Sequence, residues 1–446
     1  MRLGLLAMSG VRAHNAELTA LGLTLPGFVE RSRVVASLPS LGLLTLGGLT
    51  PPEIEVTYVD VPDVLDSPWL PGDFDAVAIS SFSAQIFEAY ELADRYRAGG
   101  TKVILGGLHV SAVPDEAAKH ADAIVIGEGE PLWPAVIHDL DRSRLQPVYD
   151  ARGTRFDLGA APLPRYELLD VSKYNRLTIQ TQRGCPFDCE FCAASIRISP
   201  GFKVKPVEKV VAEIRHIKTF RRFPFIELAD DNTFADKRHG RELARALIPE
   251  KIRWFTETDI SVAEDPELLA LLRDSGCAQV LIGLEAPSRE PLERVERRSN
   301  WKARQFDRYR DAIERIQSHG ISVNGCFVLG LDGAGPDSFD EVLRFVLESD
   351  LSEVQITVQT AFPGTPLYAR LLRENRILRE GAWELCTLFD VNFRPSDMTV
   401  DELERGLREL ARRLYDEETT RTRQHNFRER LRALYMRDQA SRSEEA

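Results

Sequence analysis

The sequence predicts an α/β protein with an N-terminal Rossmann-like domain, a second series of βα units and a helical C-terminal extension. Three observations predict it. Short apolar runs rich in β-branched residues alternate with segments of helical period as far as Ile126. The alternation restarts at Leu177, after a stretch without periodicity. From Asp401 the pattern turns polar and helical.

In the first region, strands are expected at Leu3–Met8, Ile54–Val59, Ala76–Ile79, Val103–Leu105 and Ala123–Ile126. Helical periodicity is clearest over Ile86–Tyr96 and Asp115–His120. Strands alternating with helices form parallel βαβ units and an open, doubly wound sheet. Ligands of such sheets sit outside the C-terminal strand ends. Three of those ends carry small or polar residues: Ser80, Ser81 and Ser83; then Gly106, Gly107 and His109; then Gly127, Glu128, Gly129 and Glu130. Glycines there let a large ligand approach the backbone, and the serines offer hydroxyls. Each loop taken singly reads equally well as a tight turn, and His109 as a turn histidine. No GxGxxG follows the first strand, which argues against a nicotinamide dinucleotide.

Residues 149–174, with Gly153, Gly159, Pro162 and Pro164, are read as a linker. They divide a domain at 1–148 from one at 175–380, with the extension at 381–446. A strand at Leu177–Gln182 then leads into Arg183-Gly184-Cys185-Pro186-Phe187-Asp188-Cys189-Glu190-Phe191-Cys192. Three thiols on one loop, spaced Cys-x3-Cys-x2-Cys, need a metal or a redox role. Structural zinc would want a fourth Cys or His nearby, and the nearest His is His216, inside a predicted helix. Three ligands suit a [4Fe–4S] cluster with one iron left open, with zinc and coincidence as the other readings.

Further strands are expected at Phe225–Leu228, Ile252–Phe255, Gln279–Gly283, Val323–Leu329 and Glu353–Val358. Helices are expected near Val207–Phe220, His239–Leu247, Pro266–Asp274, Ala303–Ser318, Ser338–Glu348 and Tyr368–Arg373, completing six βα units. Polar residues stand at their strand ends: Asp230, Asp231 and Asn232, then Glu257, Glu285 and Asp332. Each acid alone also reads as a solvated or helix-capping carboxylate. Cys277, Cys326 and Cys386 are isolated and read as small buried hydrophobes. Leu403, Leu407, Leu410 and Leu414 mark an amphipathic helix. The eleven arginines after Asp401 read as a solvated face or as a basic surface for an anionic partner.

With 57 Lys+Arg against 69 Asp+Glu, the net charge of −12 disfavours sequence-blind nucleic-acid binding. Six cysteines in 446 residues cannot make a disulfide scaffold. The N-terminus lacks the apolar core and cleavage site of a signal peptide. No run of about 18 apolar residues is long enough for a membrane span. A cytoplasmic protein is expected.

The CxxxCxxC motif with Phe191 before its last cysteine resembles the signature of radical S-adenosylmethionine (SAM) enzymes. That resemblance implies a partial (β/α)6 TIM-type barrel and a [4Fe–4S] cluster on Cys185, Cys189 and Cys192. SAM chelated at the open iron would be cleaved to a 5′-deoxyadenosyl radical. It also implies Glu257 and Glu285 as partners for the ribose or methionine amine of SAM, and Asp230–Asn232 near its methionine end. An α/β domain with Gly-Gly-x-His and Gly-Glu-Gly-Glu strand ends, placed before such a barrel, resembles the cobalamin-binding branch of the family. So do Leu38–Leu46 and Ala361–Tyr368, and the likeness spans about residues 1–380. It implies cobalamin over the serine, glycine, His109 and glutamate loops named above. One departure is plain: no histidine stands in the Asp-x-His-x-x-Gly pattern of methionine-synthase-type cobalamin domains.

The implied activity is C-methylation of an unactivated carbon. Other readings are a radical rearrangement, cyclisation or ring contraction without methyl transfer, or a non-catalytic sensor. The expected substrate is a small natural product, lipid or tetrapyrrole-like precursor, or a peptide. The expected electron donor is an external flavodoxin or ferredoxin.

Overall fold

The computed structural model of the protein describes residues 1–21, 38–64, 70–293 and 295–444. The first sheet consists of β1 (Arg2–Met8), β2 (Glu55–Val61), β3 (Ala76–Ser80), β4 (Lys102–Gly106), β5 (Ala123–Ile126) and β6 (Val148–Asp150). Its spatial order is β2-β1-β3-β4-β5-β6, and every pair is parallel. Leu3–Met8 and Ala123–Ile126 are buried along their whole length, as a parallel sheet covered on both faces requires. The edge strand β6, Val148–Asp150, is only three residues long and has no periodicity to announce it.

The second sheet starts with β7 (Leu177–Ile179). A two-stranded antiparallel ribbon follows, β8 (Gln182–Arg183) with β9 (Lys203–Val204). The sheet then continues through β10 (Phe225–Leu228), β11 (Arg253–Thr258), β12 (Cys277–Glu285), β13 (Ser322–Leu329) and β14 (Glu353–Val358). These six strands are parallel and lie in sequence order, giving the open (β/α)6 barrel. Side chains alternate along each strand. Val280, Ile282, Leu284, Val323, Phe327 and Leu329 pack outward against the helices in one core. Leu281, Gly283, Cys326 and Val328 take the concave side. Leu177–Gln182, expected as one strand, is two, because Thr181 and Gln182 turn to bond Asp230.

Three helical expectations change. Of the Asp115–His120 segment only Asp115–Ala117 is helical, in the short helix Pro114–Ala117 that proline opens after another short helix, Leu108–Ala112. Ala303–Ser318 breaks around Phe306 into two helices. Residues 381–399 are not helical beyond the turn Trp383–Leu385. There the Leu378 and Arg394 amides donate to the Asn392 and Arg376 carbonyls, so the backbone is satisfied as an extended pair.

The extension becomes regular at the helix Val400–Tyr415, where Thr399 and Glu402 form a capping box. Its Leu403, Leu407, Leu410 and Leu414 are buried against the helix Ser338–Glu348 and β14. Among the described residues no helix is long and apolar enough to cross a membrane. Leu407→Ala is expected to destabilise the protein by about 2–5 kcal/mol. Thermal denaturation checks it, with exposed Arg421→Ala as the control that leaves the melting temperature unchanged.

Candidate functional site

A cleft of ≈ 310 Å³ opens between the C-terminal strand ends of the first sheet and the start of the barrel. Ser80, Gly106, Gly107, Gly127, Glu128, Gly129 and Glu130 all line it. Leu41, Leu43 and Leu46 of the helix Leu41–Leu49 supply an apolar wall, and Gln180, Arg183, Ser195 and Ile198 close the barrel side. Gly107 has φ +106°, a conformation that favours glycine. Ser111 ties the glycine loops together: its hydroxyl donates to the Gly107 carbonyl (2.8 Å) and accepts from the Gly127 amide (2.9 Å).

Three expected residues do not line the cleft. The Ser81 hydroxyl donates to the Phe82 carbonyl (2.8 Å). Ser83 and His109 bond each other, Oγ to Nδ1, at 3.0 Å. His109 is fully buried, with Nε2 3.6 Å from Glu116 and the Trp383 ring edge-on beside it. Burial pushes its pKa down to about 4 despite the opposing charge of Glu116. It is therefore a neutral packing residue between the first domain and the chain after the barrel.

The cysteine loop, residues 184–202, is shaped by polar pins. Gly184 has φ +91°, and a Cβ there would lie 2.5 Å from the Gly201 carbonyl oxygen. Its amide donates to Asp231 Oδ2 (2.8 Å) and to the Ser195 hydroxyl (3.0 Å). Asp231 also accepts from the Ser195 hydroxyl and amide, so one carboxylate fastens both flanks of the cysteines. Arg197 donates to the carbonyls of Cys192 (2.7 Å) and Cys189 (2.8 Å). Glu190 accepts two bonds from Arg370 (2.6 and 3.1 Å), tying the loop to the helix Pro366–Arg373. Phe187 stacks on Trp301 at 4.6 Å, and Phe191 packs half-buried against the barrel core.

Burial pushes all three thiols up, Cys189 to about 12 and Cys192 to about 11. Metal binding must therefore displace protons. Among the described residues no three His, Cys, Asp or Glu side chains converge as ligands of a single ion would. A cubane, in which each thiolate takes its own iron, needs no such convergence. The donor set fits a [4Fe–4S] cluster.

The strand-end acids differ sharply. Asp230 is buried and accepts from the Thr181 amide (2.7 Å), the Thr181 hydroxyl (2.5 Å), the Gln182 amide (3.0 Å) and the Thr233 hydroxyl (2.8 Å). It braces the turn between β7 and β8. Asn232 donates to Asp259 (2.8 Å) and stands 4.0 Å from Cys185 Sγ. Glu285, at φ +65°, pairs with Lys302 at 2.6 Å, and Lys302 also donates to the Gly283 carbonyl (2.8 Å). Glu257 has no side-chain hydrogen bond among the described residues. By strand alternation it lies on the concave face of the barrel, opposite buried Trp254 and Thr256, where solvent reaches it. Burial, then repulsion from Glu227, Asp231 and Asp230, raises its pKa to about 8. A carboxyl left free on the concave face fits the hydroxyls or amine of SAM. Sequence reading missed Arg197, Lys302, Arg370 and Ser111, because each acts through partners that no local spacing reveals.

Comparison with known proteins follows this division. The Radical SAM superfamily matches residues 179–346, the B12 binding domain residues 69–137, and a domain of unknown function (DUF4070) residues 365–445. Bacteriochlorophyllide d C-8(2)-methyltransferase of Chlorobaculum tepidum is 30% identical over 77% of this chain and 78% of its own. Hopanoid C-2 methylase of Rhodopseudomonas palustris is 28% identical over 78% of this chain and 67% of its own. The radical SAM methyltransferase TsrM from Kitasatospora setae, solved with cobalamin and a [4Fe–4S] cluster, superposes with a TM-score of 0.63. That match covers 84% of this chain and 75% of that one, and at 14% identity it speaks for the fold.

Two outcomes are expected. Asp231→Ala should retain less than half of the iron that wild type holds after reconstitution, read by iron content and cluster absorbance. In the metal-free protein, the raised pKa of Glu257 favours folding below the ordinary carboxylate range, and that contribution is lost as pH rises through about 8. The melting temperature of wild type should therefore fall between pH 5 and pH 9 more steeply than that of Glu257→Gln.

Proposed function

Because the chain belongs to the cobalamin-dependent radical SAM family, a family of enzymes, we propose that it C-methylates an unactivated carbon of a small molecule. One observation carries the reading. The same cleft is walled by the strand-end glycines of the first sheet and by Arg183, Ser195 and Ile198, which flank the cysteines. When bound, the cluster and SAM supply a carbon-centred radical and cobalamin supplies the methyl group.

The chain's own residues do the rest. Cys185, Cys189 and Cys192 hold the cluster, and Asp231 and Arg197 fix the loop that presents them. Glu257 and the Glu285–Lys302 pair line the barrel where SAM would lie, and Asn232 stands beside Cys185. Ser80 and the glycines Gly106, Gly107, Gly127 and Gly129 let a flat macrocycle approach the backbone. The paired walls exclude water, which a radical and its acceptor both need.

Two named relatives act on a bacteriochlorophyllide and on hopanoids. The substrate class proposed here is accordingly a tetrapyrrole-like, lipid or other natural-product skeleton. A flavodoxin or ferredoxin would supply the electron.

Anaerobic expression with hydroxocobalamin, followed by cluster reconstitution, should give about one corrinoid and about four irons per chain. Reduced protein should release 5′-deoxyadenosine and, with substrate, S-adenosylhomocysteine and a product heavier by one methylene. Iron without corrinoid, or a product of unchanged carbon count, would defeat the methylation reading. Cys185→Ala is expected to abolish deoxyadenosine release.

A further inference from the structure

The ribbon β8–β9 closes the base of the cysteine loop, and its pairing has an unusual feature. Arg183 and Lys203 stand directly opposite each other across the two strands. Like charges in such a cross-strand pair repel. Here both are nearly buried, with side-chain exposures of 13% and 6%.

The compensating charge comes from the other domain. Glu128 is completely buried and accepts from Lys203 Nζ with both oxygens at 2.7 Å, and from Arg183 Nη1 at 2.6 Å. Burial would push its carboxyl up, but the bonds from Lys203 and Arg183 outweigh that and hold it below the usual range. Arg183 has a second carboxylate, Glu130 at 2.6 Å, and the side-chain amide oxygen Oε1 of Gln180 at 2.8 Å. Lys203 has no second carboxylate among the described residues; its remaining acceptor is the Phe156 carbonyl (3.0 Å).

Glu128 sits on the loop Gly127–Glu130, which lines the cleft and is bonded through Ser111 to the Gly106–Gly107 loop. We infer that Glu128 is a positioning residue: it is the counter-ion that keeps β8–β9 closed, and it ties the cysteine loop to occupancy of the strand-end cleft. The four side chains Arg183, Lys203, Glu128 and Glu130 sum to zero charge. Removing the charge of Glu128 leaves one uncompensated buried cation, which favours opening of the ribbon and exposure of the loop it closes. A ligand resting on Gly127 and Gly129 restrains the same loop from its other side. The coupling half of this inference rests on the reading of the cleft as the corrinoid site.

The test uses the full chain, anaerobically reconstituted, as wild type, Glu128→Gln, Lys203→Gln and the double variant. Iron release to a ferrous chelator is followed with and without hydroxocobalamin, and corrinoid binding is read by absorbance in the same samples. Glu128→Gln should lose iron about tenfold faster than wild type. The double variant, in which charge balance is restored, should return close to the wild-type rate, whereas Lys203→Gln alone leaves one buried carboxylate in excess and should also lose iron faster than wild type. Hydroxocobalamin should slow release from wild type and not from Glu128→Gln.

Wild-type iron retention in Glu128→Gln, or a double variant as leaky as Glu128→Gln, overturns the counter-ion role. Equal protection of wild type and Glu128→Gln by bound corrinoid overturns the coupling. If no form binds corrinoid, the functional reading and the coupling fall, while the iron-release comparison still decides the counter-ion role. If Glu128→Gln does not fold, Lys203→Gln decides: wild-type iron retention in it shows that charge balance does not hold the loop closed and overturns the inference.

Discussion

Both main sheets are parallel throughout, six strands in each, and that constraint decides where chemistry can occur. A parallel strand is re-entered only by a crossover, so all of its functional loops collect at the C-terminal edge. In this protein two such edges face each other. The Gly106–Gly107 and Gly127–Glu130 loops of one sheet and the Gln180–Ser195 region of the other wall a single cleft. The β8–β9 ribbon is the antiparallel exception, and it lies where the chain must leave the barrel to present the cysteines.

The cysteine loop contributes little to any apolar core. Its three cysteines are each half-buried, and most of its neighbours are the same. Its shape therefore rests on Asp231, Arg197 and the Glu190–Arg370 pair, and at its base on Glu128. Charge-assisted bonds of this kind are each worth about 1.5–3 kcal/mol. Buried ionic networks offset their own desolvation poorly, so their value lies more in fixing one geometry than in adding stability.

Strands with a strong apolar pattern were legible in the sequence: Ala123–Ile126, Phe225–Leu228 and Glu353–Val358 stand as expected. The helices Val207–Phe220, Pro266–Asp274 and Ser338–Glu348 do too. Val148–Asp150 and the two-residue strands of the ribbon were not, because two or three residues carry no measurable period. The cysteine spacing identified the loop but not its fastenings. Arg183 meets Glu128 across 55 positions and Lys203 meets it across 75, distances at which spacing says nothing. His109 shows the opposite error. A strand-end position suggested a ligand contact, whereas the short helix Leu108–Ala112 carries the ring into the core beside Ser83.

The acids of the barrel show how unevenly one residue type can be used. Glu227 is paired with Arg176, Glu285 with Lys302, Asp231 with Gly184 and Ser195, and Asp230 with Thr181, Gln182 and Thr233. Each is matched inside the fold, so none needs a ligand to satisfy it. Among the described residues Glu257 is unmatched, and repulsion from Glu227, Asp231 and Asp230 makes it costlier to ionise. Glu257 is therefore the barrel acid with acceptor capacity left over, which is the ground on which it is proposed as a contact for SAM. Hydroxyl or ammonium donors brought by a bound molecule would offset the cost that burial and neighbouring charge place on its ionised form.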